Sequence, residues 1–331
     1  MGLSAACRIE IDGVDRTDQW ARERRILSID VDDREGEISD SCTIELDDRE
    51  PHIAWPPEGK RLRVWLGNDE TDLTDLGSYT LDAPHASAPP SRLTVKGHAA
   101  NFVAKGPGLP IQTPRSRTWS GVSLGDMLNT IAQDHSLLPR IQKTLEGEIV
   151  DPVEQVWESD LVFLKRVALR YGARVRVKGA SGNPGGALEI VGAGSQLPQV
   201  VLTPLDVEQW SAPLGNRIKA GAVTAFWFNP KSGASGSVTA GSGEPRLVSS
   251  EPFDTASSAK NHAKNRLKDT ERRSAQLSVS LTRLNTAIAS GTPIAFSGFR
   301  SEVDTIWNVV QARHYADASR ARTTLVAERS F

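Results

Sequence analysis

The sequence predicts a mainly β protein in which a small α+β unit is inserted between two β-rich flanks. Three observations carry this. The 331 residues include 27 glycines and 19 prolines but only 6% aromatics, a mix that suits many short strands and turns. Apolar and polar residues alternate with a period of two towards both ends of the chain. Between about residues 118 and 195 the spacing becomes that of two helices followed by a hairpin. A chain of this length suggests two or three domains and needs no disulfide staples to fold.

The first flank, residues 1–104, reads as half-buried antiparallel strands. Cys7, Ile9 and Ile11 alternate with Arg8, Glu10 and Asp12, and Asp12-Gly13 offers a turn. Ile29 and Val31, then Cys42, Ile44 and Leu46, then Leu62, Val64 and Leu66, then Leu93 and Val95 repeat the pattern. Five such strands in about 100 residues favour a barrel or a sandwich. Cys7 and Cys42 read as small core residues, with a disulfide left open. The acidic run Asp30-Val31-Asp32-Asp33 lacks the glycine and distal glutamate of a calcium loop.

The middle unit, residues 105–200, opens on Lys105–Arg117, whose glycines and prolines read as a linker or extended loop. Leu124, Met127, Leu128, Ile131 and Ala132 then follow helical spacing. Ser123 with Asp126 makes a capping box, and Pro139 is expected to stop the helix. A second helix is predicted over Asp160–Tyr171, capped by Ser159 and stopped by Gly172, with Leu161, Leu164, Val167, Ala168 and Tyr171 as its apolar stripe. Its acids sit at the start and its bases at the end, as the helix dipole favours. Ala173, Val175 and Val177 alternate with Arg174, Arg176 and Lys178, turn through SGNPGG and return as ALEIVG.

The last flank, residues 201–331, returns to strands. Val223, Ala225 and Trp227 share one face, with Thr224, Phe226 and Phe228 on the other, so cover is expected on both sides. Lys231–Gly243 is low in complexity and reads as a loop tip. A third helix is predicted over Thr255–Arg273, with Ala256, Ala259, Ala263 and Leu267 as a small-residue inner stripe. Strands are expected at Leu277–Leu281, Ile294–Phe296, Ile306–Ala312 and Thr323–Ala327.

The residues point away from catalysis. HExxH, paired CxxC, the P-loop and the GxSxG elbow are all missing. Gly192-Ala193-Gly194 lacks the third glycine of a dinucleotide fingerprint. His52, His85, His98, His135, His262 and His314 do not pair at metal-ligand spacing, and Asp134-His135-Ser136 is a run of neighbours rather than a triad assembled in space. No catalytic, metal or cofactor-binding residue is assigned, and no cofactor is expected. The eight tryptophans, spread evenly, read as core or interface anchors. A formal net charge of -2 from 39 basic and 41 acidic residues argues against a sequence-specific nucleic-acid binder. The start MGLSAACRIEIDG is no signal peptide, and no apolar run reaches membrane length. Synthesis in the cytoplasm is the expectation.

The segment QVWESDLVFLKRVALRYGARVRVK, Gln155–Lys178, resembles the core signature of the phage late control gene D protein family. The matching positions are Gln155, Glu158-Ser159-Asp160, Phe163-Leu164, Tyr171-Gly172-Ala173 and Lys178. The preceding SLGDMLNTIAQDHSLLP is similar to the family's upstream helix. The tail WNVVQARHYADASRARTTLVAE resembles its closing strands, with Trp307, Val310, His314 and Thr324 in familiar places. The resemblance implies a baseplate hub of a contractile phage tail or tail-like particle such as an R-type bacteriocin, similar to the N-terminal part of type VI secretion VgrG spike proteins. It implies two tail-tube-like β-barrels around a helix-helix-hairpin domain. It also implies a homotrimer joining a trimeric central spike to the tail tube or its initiator ring, with baseplate wedge proteins and the tape measure protein as further partners. Lacking a β-helical extension before Phe331, the chain is expected to recruit its spike as a separate protein. The competing reading is a cell-wall-degrading baseplate enzyme.

Overall fold

The computed structural model describes residues 3–22, 24–35, 39–49, 53–99, 110–179, 186–192, 197–212 and 220–329. The first flank forms β1 (Ala6–Ile11), β2 (Val14–Asp15), α1 (Thr17–Arg22), β3 (Ile26–Arg34), β4 (Ser41–Asp47), β5 (Arg61–Gly67), β6 (Thr74–Leu81), β7 (His85–Ser87) and β8 (Arg92–His98). Every alternating run places its apolar side inward: Ile9, Ile29, Val31, Ile44, Leu46, Leu62, Leu66 and Leu93 are buried. Cys7 and Cys42 are free thiols, the first half-buried and the second buried. β6 was not legible, because Asp75, Gly77, Ser78 and Thr80 break its apolar alternation.

The middle unit forms β9 (Pro114–Trp119), α2 (Leu124–Asp134), β10 (Leu138–Ile141), α3 (Lys143–Glu146), β11 (Val153–Ser159), α4 (Asp160–Arg170), β12 (Arg174–Lys178) and β13 (Ala187–Val191). The caps are as predicted. Ser123 Oγ accepts the Asp126 amide at 3.0 Å and Ser159 Oγ the Val162 amide at 3.4 Å. Gly172 turns the chain at φ 67°. Two expectations are corrected. Pro114–Arg117 is not linker but strand β9, paired antiparallel with β11; an isolated segment of prolines and arginines carries no strand signal until a partner satisfies its backbone. Residues 105–109 lie outside the described residues. Pro139 does not stop α2: His135 caps it, Ser136 adopts φ 54°, and Pro139 lies in β10, which runs parallel to β13. The turn after β12 lies outside the described residues except Gly186.

The last flank forms β14 (Val200–Leu202), β15 (Val207–Ser211), β16 (Ala222–Phe228), β17 (Ser235–Gly241), β18 (Arg246–Phe253), α5 (Ala256–Ser274), β19 (Gln276–Leu281), β20 (Pro293–Phe296), β21 (Ile306–Asp317) and β22 (Ala321–Arg329). The loop tip at 231–243 is a further correction. Ser235–Gly241 is strand β17, antiparallel to β16, because backbone pairing organises small residues whose side chains signal nothing. Ala259 and Ala263 of α5 are buried against this sheet, whereas Ala256 is exposed in the first turn. The fold class is as read: mainly β, with five helices among the described residues.

Strands of the two flanks join in one hydrogen-bonded sheet. Its 14 strands follow the order β15-β19-β22-β21-β3-β4-β8-β6-β5-β1-β2, with β7, β14 and β20 attached beside that path. The junction is β21 against β3, where His314 faces Val31 and Tyr315 faces Asp30. Three apolar cores result. One joins the first flank to the middle unit through residues such as Ile44, Val95, Leu128, Phe163 and Val177. A second lies under β19–β22 around Trp307, and a third between α5 and the β17-β16-β18 sheet. Among the described residues no helix is long and apolar enough to cross a membrane.

Candidate functional site

β12 alternates Val175 and Val177, which enter the first core, with Arg174, Arg176 and Lys178. The sequence reads those cations as one polar face. The structure buries that face at the meeting point of the middle unit with both flanks. The Glu35 carboxylate, just after β3, accepts from Arg174 on one oxygen and Arg176 on the other. Lys178 Nζ lies 2.5 Å from Asp33 of β3, and the Ser290 amide donates to the same carboxylate at 2.9 Å. From the far end of the chain, Glu328 of β22 meets Arg174 at 2.8 Å and Asp269 of α5 stands 3.9 Å from it.

The electrostatics follow from burial. Desolvation would raise the Glu35 pKa, but the Arg176 and Arg174 charges outweigh it and hold the carboxyl below its ordinary range. Asp33 is lowered in the same way against Lys178, whose own pKa rises because Asp33 and Asp40 overcome its desolvation. Asp40 moves oppositely. Burial, then the nearby Asp33 charge, pushes it well above the usual carboxylate value although it accepts the Arg34 and Gly179 amides. Burial lowers the neighbouring His314 to about 4, and its Nδ1 pairs with Thr323 Oγ1 at 3.0 Å.

A second buried network explains the central motif. Asp160, the first residue of α4, is fully buried. His135 Nε2 lies 2.8 Å from its Oδ2, and Gln155 Nε2 donates to its Oδ1 at 2.7 Å. Arg115 and Arg117 approach from β9 and also pair with Asp134 at 2.9 and 2.6 Å. These bonds, with the Arg117 charge, keep the Asp160 pKa low against its burial. Sequence spacing does not reveal this partner of His135, 25 residues away. Asp134 and His135 each answer to a different group, so the Asp134-His135-Ser136 run makes no triad.

Two clefts adjoin the β12 network. One of about 480 Å³ is bordered by Asp33, Asp40, Lys178, Ser290 and His314. The other, about 950 Å³, runs between β18, α4 and the β21–β22 pair. No group of three or more His, Cys, Asp or Glu side chains among the described residues could hold a metal ion. Of the eight tryptophans, Trp20, Trp119 and Trp307 are core residues, whereas Trp55 and Trp157 are exposed.

Comparison with known proteins agrees with the resemblance read from Gln155–Lys178. The chain is 24% identical over 346 aligned residues to a protein of Escherichia phage P2 named as a probable baseplate hub protein, covering 92% of this chain and 88% of the relative. It is 28% identical over 236 residues to the counterpart of Escherichia phage 186, covering 69% of this chain and 57% of that protein. No protein-family model matches. In fold it is similar to the 43 kDa tail protein of prophage MuSo2 from Shewanella oneidensis, with a TM-score of 0.73 at 13% identity and 98% coverage of both chains. It is also similar to the E. coli c3393 protein, described as a type VI secretion component, at TM-score 0.60 and 12% identity over 96% of this chain and 76% of that one.

Proposed function

We propose that this chain is a structural baseplate hub of a contractile phage tail or tail-like particle, acting as a homotrimer between the trimeric central spike and the sixfold tail tube. The observation that carries the reading is the likeness over most of the chain to the phage P2 protein named as a probable baseplate hub. The geometry supports it. Pairing of β21 with β3 joins strands of the two flanks in one sheet, and the β12 network braces the middle unit against both. A part that transmits load from sheath contraction needs that connection. The two flanks, 1–104 and 201–331, act as tube-like barrels around the middle unit, 105–200. The ring they form meets the spike on one side and the tube or its initiator on the other, with wedge and tape measure proteins around it.

The chain works as scaffold rather than enzyme, in the baseplate of the assembled particle. Native mass measurement of the full chain, alone and with its spike, tests the assembly: a trimer is expected, and a monomer under both conditions overturns it. Turbidity loss on peptidoglycan tests the enzymatic alternative, and none is expected.

A further inference from the structure

Lys178 of β12 and Asp33 of β3 meet between the middle unit and the first flank, 145 residues apart in sequence. Their side chains are each 14% exposed, and Lys178 Nζ touches Asp33 Oδ1 at 2.5 Å. The other oxygen, Oδ2, accepts the Ser290 amide at 2.9 Å. Asp40 ties the same two strands together one residue further along each. Its carboxyl accepts the Arg34 amide at 3.1 Å and the Gly179 amide at 3.2 Å. Its own amide donates to the Val177 carbonyl at 3.2 Å. Burial and the Asp33 charge hold a proton on Asp40 well above the pH at which a free carboxyl loses it.

An amine against a carboxyl group, beside a protonated acid and out of bulk water, is set to condense. The freshly folded chain holds the ion pair. What keeps Asp33 low and Lys178 high is chiefly the charge of the other, set against burial, which acts on each more strongly than any other single influence. When one proton crosses the 2.5 Å contact, both charges vanish together, and burial then favours the neutral amine and acid. The ordinary preference for the ion pair is about six powers of ten. Burial moves a fully buried lysine or carboxyl by up to about three to five powers of ten each, so the neutral pair is within reach.

We propose that Lys178 and Asp33 condense to an intramolecular isopeptide bond after the chain folds. Lys178 Nζ bonds to Asp33 Cγ, and the bond from Cγ to Oδ1 breaks. Two protons leave the ammonium group. One passes directly to Oδ1; the other passes through Asp40, which gives its own proton to Oδ1 and regains one from the nitrogen. Oδ1 departs as water, Oδ2 stays as the amide oxygen, and nothing else is consumed. The Ser290 amide already donates to Oδ2, where negative charge develops on the way. The cleft of about 480 Å³ bordered by Asp33, Asp40 and Lys178 gives the water a way out. The product fastens the middle unit covalently to the first flank, and it does not rest on the homotrimer reading.

Intact mass of the purified full-length chain tests the bond. The wild type is expected to lose the mass of one water over days of incubation. Its tryptic digest should then join residues 26–34 to residues 177–217, with no cleavage after Lys178. Lys178→Arg keeps the charge pairing but has no amine to condense, and should keep its full mass. Asp40→Asn, with unchanged circular dichroism, should slow the loss by about a hundredfold or more. A folded wild type that keeps its full mass overturns the bond. A water lost equally from Lys178→Arg comes from elsewhere in the chain and overturns it too. A cross-link that forms as fast in Asp40→Asn overturns the relay through Asp40.

Discussion

The middle unit is fastened to its two neighbours by different chemistry. Towards the first flank it shares a continuous apolar core, with Phe163, Leu164 and Val177 in the same cluster as Ile44 and Val95, beside the ion pairs of Glu35 and Asp33. Towards the last flank the contacts are polar: Arg174 with Glu328 and Asp269, Arg170 with Glu251 at 3.1 Å, and Asn265 Nδ2 donating to the Arg170 carbonyl at 3.0 Å. An apolar seam is insensitive to pH and direction. A buried ionic seam demands fixed geometry and fails when one partner is lost. The first flank and middle unit are therefore expected to unfold together, with the last flank coupled to them through charge and through the β21–β3 pairing.

Breaking the ionic seam should have the largest effect. Glu328→Ala removes the last flank's carboxylate from Arg174, and breaking a buried ion pair costs up to about 3–5 kcal/mol. Chemical denaturation should show that loss, together with separation of a single transition into two. On the apolar side, Leu164→Ala empties a fully buried site and should cost about 2–5 kcal/mol while the transition stays single. If the two variants split the transition alike, the contrast between the seams is wrong.

The pH response sharpens the same contrast. His314, beside the ionic seam, has a folded pKa of about 4 against 6.5 for the free side chain. The unfolded chain therefore binds the proton first, and stability falls as pH drops from about 6.5 towards 4, by about 3 kcal/mol in all. Asp33 and Glu35, with depressed values, add their loss at lower pH. Asp40, with a raised value, contributes while neutral, and its contribution is lost as pH rises through its folded pKa. Melting curves across pH should show the acid slope, and His314→Gln should flatten its upper part.

Smaller effects probe the remaining units. Ala263 is fully buried between α5 and its sheet, so Ala263→Trp should overpack that core by about 1–3 kcal/mol and lower particle yield. Normal yield would place the α5 inner face elsewhere. Ser123→Ala removes the cap of α2 at about 1 kcal/mol, read as a small shift in denaturation midpoint.

Much of this was determined by the sequence alone. Alternation in the first flank, the serine caps of α2 and α4 and the glycine after α4 are local: period, side-chain oxygen and missing Cβ act within a few residues, so each reads correctly before any fold is known. Tertiary structure decided what lies across long separations. Strands β9 and β17 have polar or small residues and exist because partners satisfy their backbones. Asp160 reads as a dipole-facing acid until His135 and Gln155 are seen to bury it. The basic face of β12 reads the same whether solvated or paired, since Glu35 lies 139 residues from Arg174 and Glu328 a further 154 in the other direction. Charge pattern reports sign and spacing, but the desolvation that turns those cations into a seam is set only when β3, β12 and β22 meet.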